Sequence, residues 1–168
     1  MADQPNIIFI FADDMGYGDV SSLNPTGGIP TPNIDRLADE GMAFTDAHST
    51  SAVCSPSRYG VLTGRYNWRT RLQSGIVNVF GHPLIHEETP TVPRLLGEYG
   101  YHNACVGKWP LGWDWPFEDP RRFVPSREDP SPPVSEETRK EWAEGFAKPI
   151  AGGPTTRGFD TYFGVDVP

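Results

Sequence analysis

Cysteine is scarce in this chain, with only Cys54 and Cys105 among 168 residues. The two lie in very different contexts, and nothing in the sequence supports a disulfide between them. Cys105, within Asn103-Ala104-Cys105-Val106, reads as a small core residue. Long apolar runs are also absent. None approaches the ~20 residues of a membrane span, and Met1-Ala2-Asp3-Gln4 is no signal peptide. Positive charge is the minority sign, 14 Lys and Arg against 22 Asp and Glu. A net charge of -8 argues against nucleic acid and anionic membrane surfaces as partners. An anionic substrate would have to be captured by local arginines and lysines. The length suits one domain, able to bury ~68–70% of its unfolded surface. The 18 prolines and 18 glycines signal long loops.

What the chain does have is concentrated at Val53-Cys54-Ser55-Pro56-Ser57-Arg58-Tyr59-Gly60-Val61-Leu62-Thr63-Gly64-Arg65. Pro56 suits a first helical turn, where a missing N–H is no loss. Cys54 then sits just before a helix N-terminus, facing unpaired N–H groups and the positive dipole end. Such a setting lowers a thiol pKa and welcomes an anion. Arg58 adds a fixed charge about one helical turn further on.

In chain order, Asn6 to Ala12 is a continuous apolar run that predicts a strand buried on both faces, as in a central parallel strand of an α/β sheet. It ends at Asp13-Asp14, and ligands of open α/β sheets gather beyond strand carboxyl ends. Two readings stand for this pair: a hard cation, Ca²⁺ or Mg²⁺, held between the carboxylates, or a solvated turn. Thr31 to Gly41 predicts a helix with Gly41 as its stop, and Met42 to Ala47 a second strand. Asp35 reads as a surface or capping residue, and His48 as an ordinary loop or core-edge histidine. Arg65, Arg69 and Arg71 cluster near Tyr66 and Trp68 in a stretch of loop. Thr89 to Gly100 predicts a helix, and Tyr101 to Val106 a third strand that runs into Gly107-Lys108-Trp109-Pro110-Leu111-Gly112. From Trp113 to Thr156 the chain turns Pro-rich, with only Ser135 to Lys148 helical and Ser135 as its N-cap. Trp113 and Trp115 offer either a sugar-stacking face or packing. Arg157 to Gly164 reads as a return to the core.

Together these segments resemble the type I sulfatase family. Cys54-Ser55-Pro56-Ser57-Arg58 with Leu62-Thr63-Gly64-Arg65 is similar to the family signature C-x-P-S-R…L-T-G-R. Pro5 to Asp19, Thr31 to Ala38, Gly107-Lys108-Trp109 and Gly158-Phe159-Asp160 fit in the family's order, so the match covers nearly the whole chain. The resemblance implies an alkaline-phosphatase-like α/β fold, a central mostly parallel sheet flanked by helices. Residues 1–168 would be the N-terminal part of a catalytic domain, truncated before its C-terminal part, with a variable loop at about 113–156.

It further implies that Cys54 is oxidised to formylglycine by a formylglycine-generating enzyme. One oxygen of the hydrated aldehyde would attack sulfur, and the other would expel sulfate. Asp13, Asp14 and the converted Cys54 would bind Ca²⁺, Arg58 would hold the nucleophile's charge, and Lys108 would reach the sulfate. The implied activity is hydrolysis of a sulfuric ester on a sulfated sugar, polysaccharide or small molecule. The natural full-length protein is expected in the periplasm or secreted.

Two departures qualify this. Pro110 stands where the family has a histidine, removing general acid–base help worth ~10²–10⁴-fold. Family members are also much longer, and their later parts supply further Ca²⁺ ligands, so this chain alone is expected to be inactive. The alternatives are a non-catalytic fragment or pseudoenzyme, and a phosphoric or phosphonic ester hydrolase of the same superfamily.

Overall fold

The computed structural model describes residues 4–116 and 135–166, and the chain divides into two compact units, 1–48 and 49–168. In the first unit, helix α1 spans Pro32–Glu40 with Pro32 in its first turn, as its pattern predicts. Asp35 ties the helix start to the preceding loop. Its carboxylate accepts from Ser21 Oγ at 2.6 Å, Ser22 N at 2.9 Å and Thr31 Oγ1 at 3.0 Å. These bonds, the Ser21 hydroxyl first, hold its pKa below the usual carboxylate value. Asp35 thus anchors the preceding loop rather than capping α1, which has no side-chain cap hydrogen bond.

Two expected strands are not found. Residues 6–12 form no ladder, and Ile8 and Ile10 are 84% and 80% exposed. Met42 to Ala47 is likewise irregular, with Met42 and Phe44 exposed. An apolar run reports a preference for burial, whereas a strand exists only when a neighbour completes its hydrogen bonds. Among the described residues of this unit no such neighbour is present.

The second unit carries the core. Helix α2 spans Cys54–Thr63 and stops at Gly64, whose left-handed φ of 67° lets its N–H reach Gly60 O at 2.8 Å. Helix α3 is Val92–Glu98, shorter than its apolar stripe suggests, with Val92 and Leu95 about half exposed. Strand β1 (Ala104–Lys108) pairs in parallel with β2 (Thr161–Val165), Val106 opposite Phe163 and Lys108 opposite Val165. Parallel neighbours need a long crossover. Here it contains helix α4, Glu136–Phe146, capped by Ser135 Oγ accepting from Thr138 N at 3.1 Å. The middle of the expected variable loop, residues 117–134, lies outside the described residues.

Tyr59, Leu72, Val77, Leu84, Ile85, Trp109 and Leu111 form the core, with Cys105, Trp113, Phe159 and Tyr162 against it. Cys105 and Cys54 are both free thiols. Alternation along the strands puts Cys105 and Tyr162 on the core side, while Val106 and Phe163 are 78% and 80% exposed on the other face. Trp113 packs rather than presenting a sugar platform, since its ring meets Tyr162 at 5.5 Å between centroids. Trp115 meets Phe146 edge-on at 6.0 Å.

Buried Thr91 serves two elements at once. Its hydroxyl donates to Arg157 O at 2.7 Å and accepts the Arg94 N–H at 3.4 Å, capping α3. Thr91→Val keeps the shape but leaves both partners unsatisfied, and should lower unfolding free energy by about 1–3 kcal/mol in urea titration. A change under half that would mean water replaces the bond.

Candidate active site

The first turn of α2 is held by hydroxyl groups. Val53, extended at φ −129° and ψ 161°, is the N-cap, and Cys54 is the first helical residue rather than the one before it. Ser57 Oγ donates to Ser51 O at 2.7 Å and Thr50 Oγ1 to Pro56 O at 3.1 Å, fixing the approach loop. Ser55, fully buried, accepts the Val77 N–H at 3.0 Å and pins the 77-region loop to the helix start. Gly60 is required because a side chain there would collide with Thr50. Ser57 stands in the C-x-P-S-R signature, whereas Ser55 and Thr50 are marked out by no motif of the sequence. Short hydroxyl residues flanking a helix start are the signal that could have found them.

Cys54, half-buried, stands at the positive end of this helix. Pro56 has no N–H and Ser57 N donates to Val53 O at 3.2 Å, which leaves the Cys54 and Ser55 amides of the first turn to face an anion. Arg58, one turn on, crosses to the strand layer, where its Nη1 donates to Lys108 O at 3.2 Å. Its charge also acts on Cys105, although burial is the stronger influence there and pushes that thiol up. Lys108 ends β1, and the next N–H, of Trp109, donates to Val165 O at 3.0 Å. The structure therefore brings together the elements bearing Cys54, Arg58 and Lys108: a helix start and a strand end, joined by a guanidinium. Such a corner suits an anion, with two cationic side chains and backbone N–H groups.

Pro110 is fully buried between core residues Trp109 and Leu111. It has no side-chain proton to give or take. Arg71 is committed elsewhere, donating to the carbonyls of Pro83, at 2.6 Å, and His82. Arg69 lies over the Trp68 ring at 5.2 Å. His48 pairs with Asp46 at 2.7 Å, fully on the surface of the first unit.

Asp13 and Asp14 belong to the first unit, and both are exposed. Among the described residues no group of three His, Cys, Asp or Glu side chains assembles as a metal cage. A Ca²⁺ ion takes six to eight oxygens, and two carboxylates offer at most four. The described residues thus do not by themselves fit the whole ion.

Comparison with known proteins narrows the chemistry. A family model described as Sulfatase matches residues 5–164. The chain is 47% identical over 111 residues to an N-acetylgalactosamine-6-O-sulfatase of Bacteroides thetaiotaomicron, covering 66% of the chain and 21% of that relative. It is 39% identical over 112 residues to human arylsulfatase A, covering 67% and 22% respectively. The chain thus spans about a fifth of the length of these curated relatives. A solved structure from work on metabolism of multiple glycosaminoglycans by Bacteroides thetaiotaomicron superposes with a TM-score of 0.74 at 35% identity, over 98% of this chain and 28% of that one. A structure of Ps i-CgsB with k-i-k-neocarrahexaose gives 0.61 at 28% identity, over 99% and 29%. The fold is accordingly the α/β type of these proteins, an open parallel sheet flanked by helices.

Proposed function

Because the chain belongs to the sulfatase family, we propose that residues 1–168 form the N-terminal part of a sulfatase catalytic domain. The domain hydrolyses sulfate esters of a sulfated sugar or polysaccharide. The observation that carries this reading is the corner where Cys54 opens α2 and Arg58 reaches the Lys108 carbonyl at 3.2 Å. The sugar class is supported by two of the similar proteins, an N-acetylgalactosamine-6-O-sulfatase and a sulfatase from work on glycosaminoglycan metabolism.

Cys54 fits the role of a maturation site: a half-buried thiol, held by no disulfide, at a helix start. Converted to formylglycine by a generating enzyme, it would supply an aldehyde whose hydrate acts as nucleophile and later releases sulfate. Binding and orientation fall to the chain's own residues. The α2 amides and Arg58 hold negative charge beside residue 54, and Arg58 also fixes its distance from the β1 end. Lys108 projects from that strand end and binds a sulfate oxygen. Asp13 and Asp14 are proposed as two of the Ca²⁺ ligands, the described residues holding part of such a cage only.

The test has two arms. After co-expression with a formylglycine-generating enzyme, intact-mass analysis of the Cys54 peptide should show a species roughly 18 Da lighter, a thiol-bearing carbon having become a carbonyl. In a full-length sulfatase background, 4-nitrophenyl sulfate should be turned over in preference to 4-nitrophenyl phosphate. An unmodified thiol would point to the pseudoenzyme reading, and a phosphate preference to the phosphoric ester hydrolase.

A further inference from the structure

At the carboxyl end of β2, two buried polar groups meet with their bonding unfinished. Trp113 Nε1 and Asp166 Oδ2 are both closed off from solvent without a hydrogen-bond partner of good geometry, although the indole lies near enough to favour the carboxylate's charge. The indole cannot easily move toward the acid. It lies between Tyr162 at 5.5 Å and Trp115 at 6.1 Å, and any side chain at Gly153 would strike it. Asp166, immediately after β2, has a carboxyl pushed up to about 6. Burial penalises its charge more than the nearby Trp113 indole and the Phe80 amide favour it.

This acid is two hydrogen bonds from the catalytic corner. Val165 O, one residue before it, accepts from Trp109 N at 3.0 Å. Lys108, register partner of Val165, offers the carbonyl that Arg58 binds. We propose that Asp166 is a positioning residue whose protonation state sets the placement of Lys108 and Arg58 through the Val165–Trp109 bond. The proposal rests on the sulfatase reading only for what Lys108 and Arg58 then do.

A neutral carboxyl can stay beside the Trp113 indole, because it can donate as well as accept and carries no charge to solvate. An ionised one draws harder on the Trp113 indole and the Phe80 amide, the two donors that favour it, and the stretch of chain that can shift toward them is the end of β2. Pro110, buried and without a titrating group, cannot offset the change. The groups facing Asp166 are the Trp113 indole, the Phe80 amide from the loop before Gly81, and Tyr162 of its own strand. Tyr162 is pushed up to about 12, first by burial, so it stays neutral throughout, and its hydroxyl donates to Gly107 O at 3.2 Å. Behind it lies Cys105, on which Arg58 acts.

Because the folded pKa of Asp166 is raised above the unfolded one, its stability contribution is complete below the ordinary carboxylate pKa of ~3.9. That contribution is lost as pH rises through about 6.

The test is ¹⁵N NMR of the chain between pH 4.5 and 7.5, without any need for Cys54 conversion or turnover. The Trp113 indole resonance, assigned with Trp113→Phe, should titrate with a midpoint near 6, and the Lys108 and Trp109 amides should follow with the same midpoint. Asp166→Asn, nearly isosteric, should abolish all three titrations, while Asp166→Glu should restore them with a displaced midpoint. A titrating indole with flat Lys108 and Trp109 amides would overturn the positioning role, as would titrations that persist in Asp166→Asn. Failure of the sulfatase reading would instead appear as an unconverted Cys54 with these titrations intact.

Discussion

Cys54→Ala, made in a full-length sulfatase background, should abolish hydrolysis of 4-nitrophenyl sulfate. The expected fall is on the order of 10⁴-fold or more, the scale seen when a hydrolase loses its nucleophile. Alanine cannot be oxidised to an aldehyde, yet it is the best helix former and leaves the first turn of α2 intact. The supports around it are independent of the thiol: Ser57 on Ser51 O, Thr50 on Pro56 O, and Ser55 on Val77 N. Circular dichroism and the thermal midpoint should therefore stay close to those of the parent. Activity within tenfold of the parent would remove Cys54 from the chemistry. Loss of activity together with loss of structure would leave its role to the mass measurement.

The second large effect is on stability. Gly164 faces Gly107 across the parallel pair, and a side chain there would collide with the Gly107 carbonyl and crowd the Tyr162 hydroxyl. Backbone atoms on a ladder cannot rotate aside, so Gly164→Ala must spread β1 from β2 or shift their register. The cost should be about 3 kcal/mol, the upper end for overpacking, read as a lower midpoint in urea with an unchanged slope. Val165→Ala, the next residue and 55% exposed on the opposite face, should stay within about 0.5 kcal/mol of the parent. Equal effects from the two would show that close approach of the strands is not what Gly164 provides. Because the same ladder carries Lys108, the alanine at 164 should also displace the strand end that Arg58 holds.

Local chemistry was readable from the residues. Pro32 and Gly41 bounded α1, Ser135 capped α4, and Cys54-Ser55-Pro56 opened α2 within one residue of the expected place. Each of these depends on contacts within a few positions, which a sequence displays directly. The apolar run 6–12 shows the opposite case. Its composition states that it should be buried, but the strand pairing that would bury it is a property of two segments, and a single segment does not contain it.

The site divides along the same line. Cys54 with Arg58 at a helix start and Asp13-Asp14 at an expected strand end stand out by residue type and position, and the resemblance to the sulfatase family implies their roles and that of Lys108. Ser55, Thr50 and Asp166 were passed over, since serine, threonine and aspartate are ordinary in loops and their partners lie 22, 6 and more than 50 residues away.

Residue type and short spacing were therefore enough to say where the helices start and stop and which side chains are candidates for the chemistry. It took the assembled fold to establish that Arg58 reaches the Lys108 carbonyl, that Pro110 is packed in the core, and that Asp166 sits half-buried beside Trp113. Burial and long-range hydrogen bonding are set by which segments meet, and that choice is made by the whole chain at once.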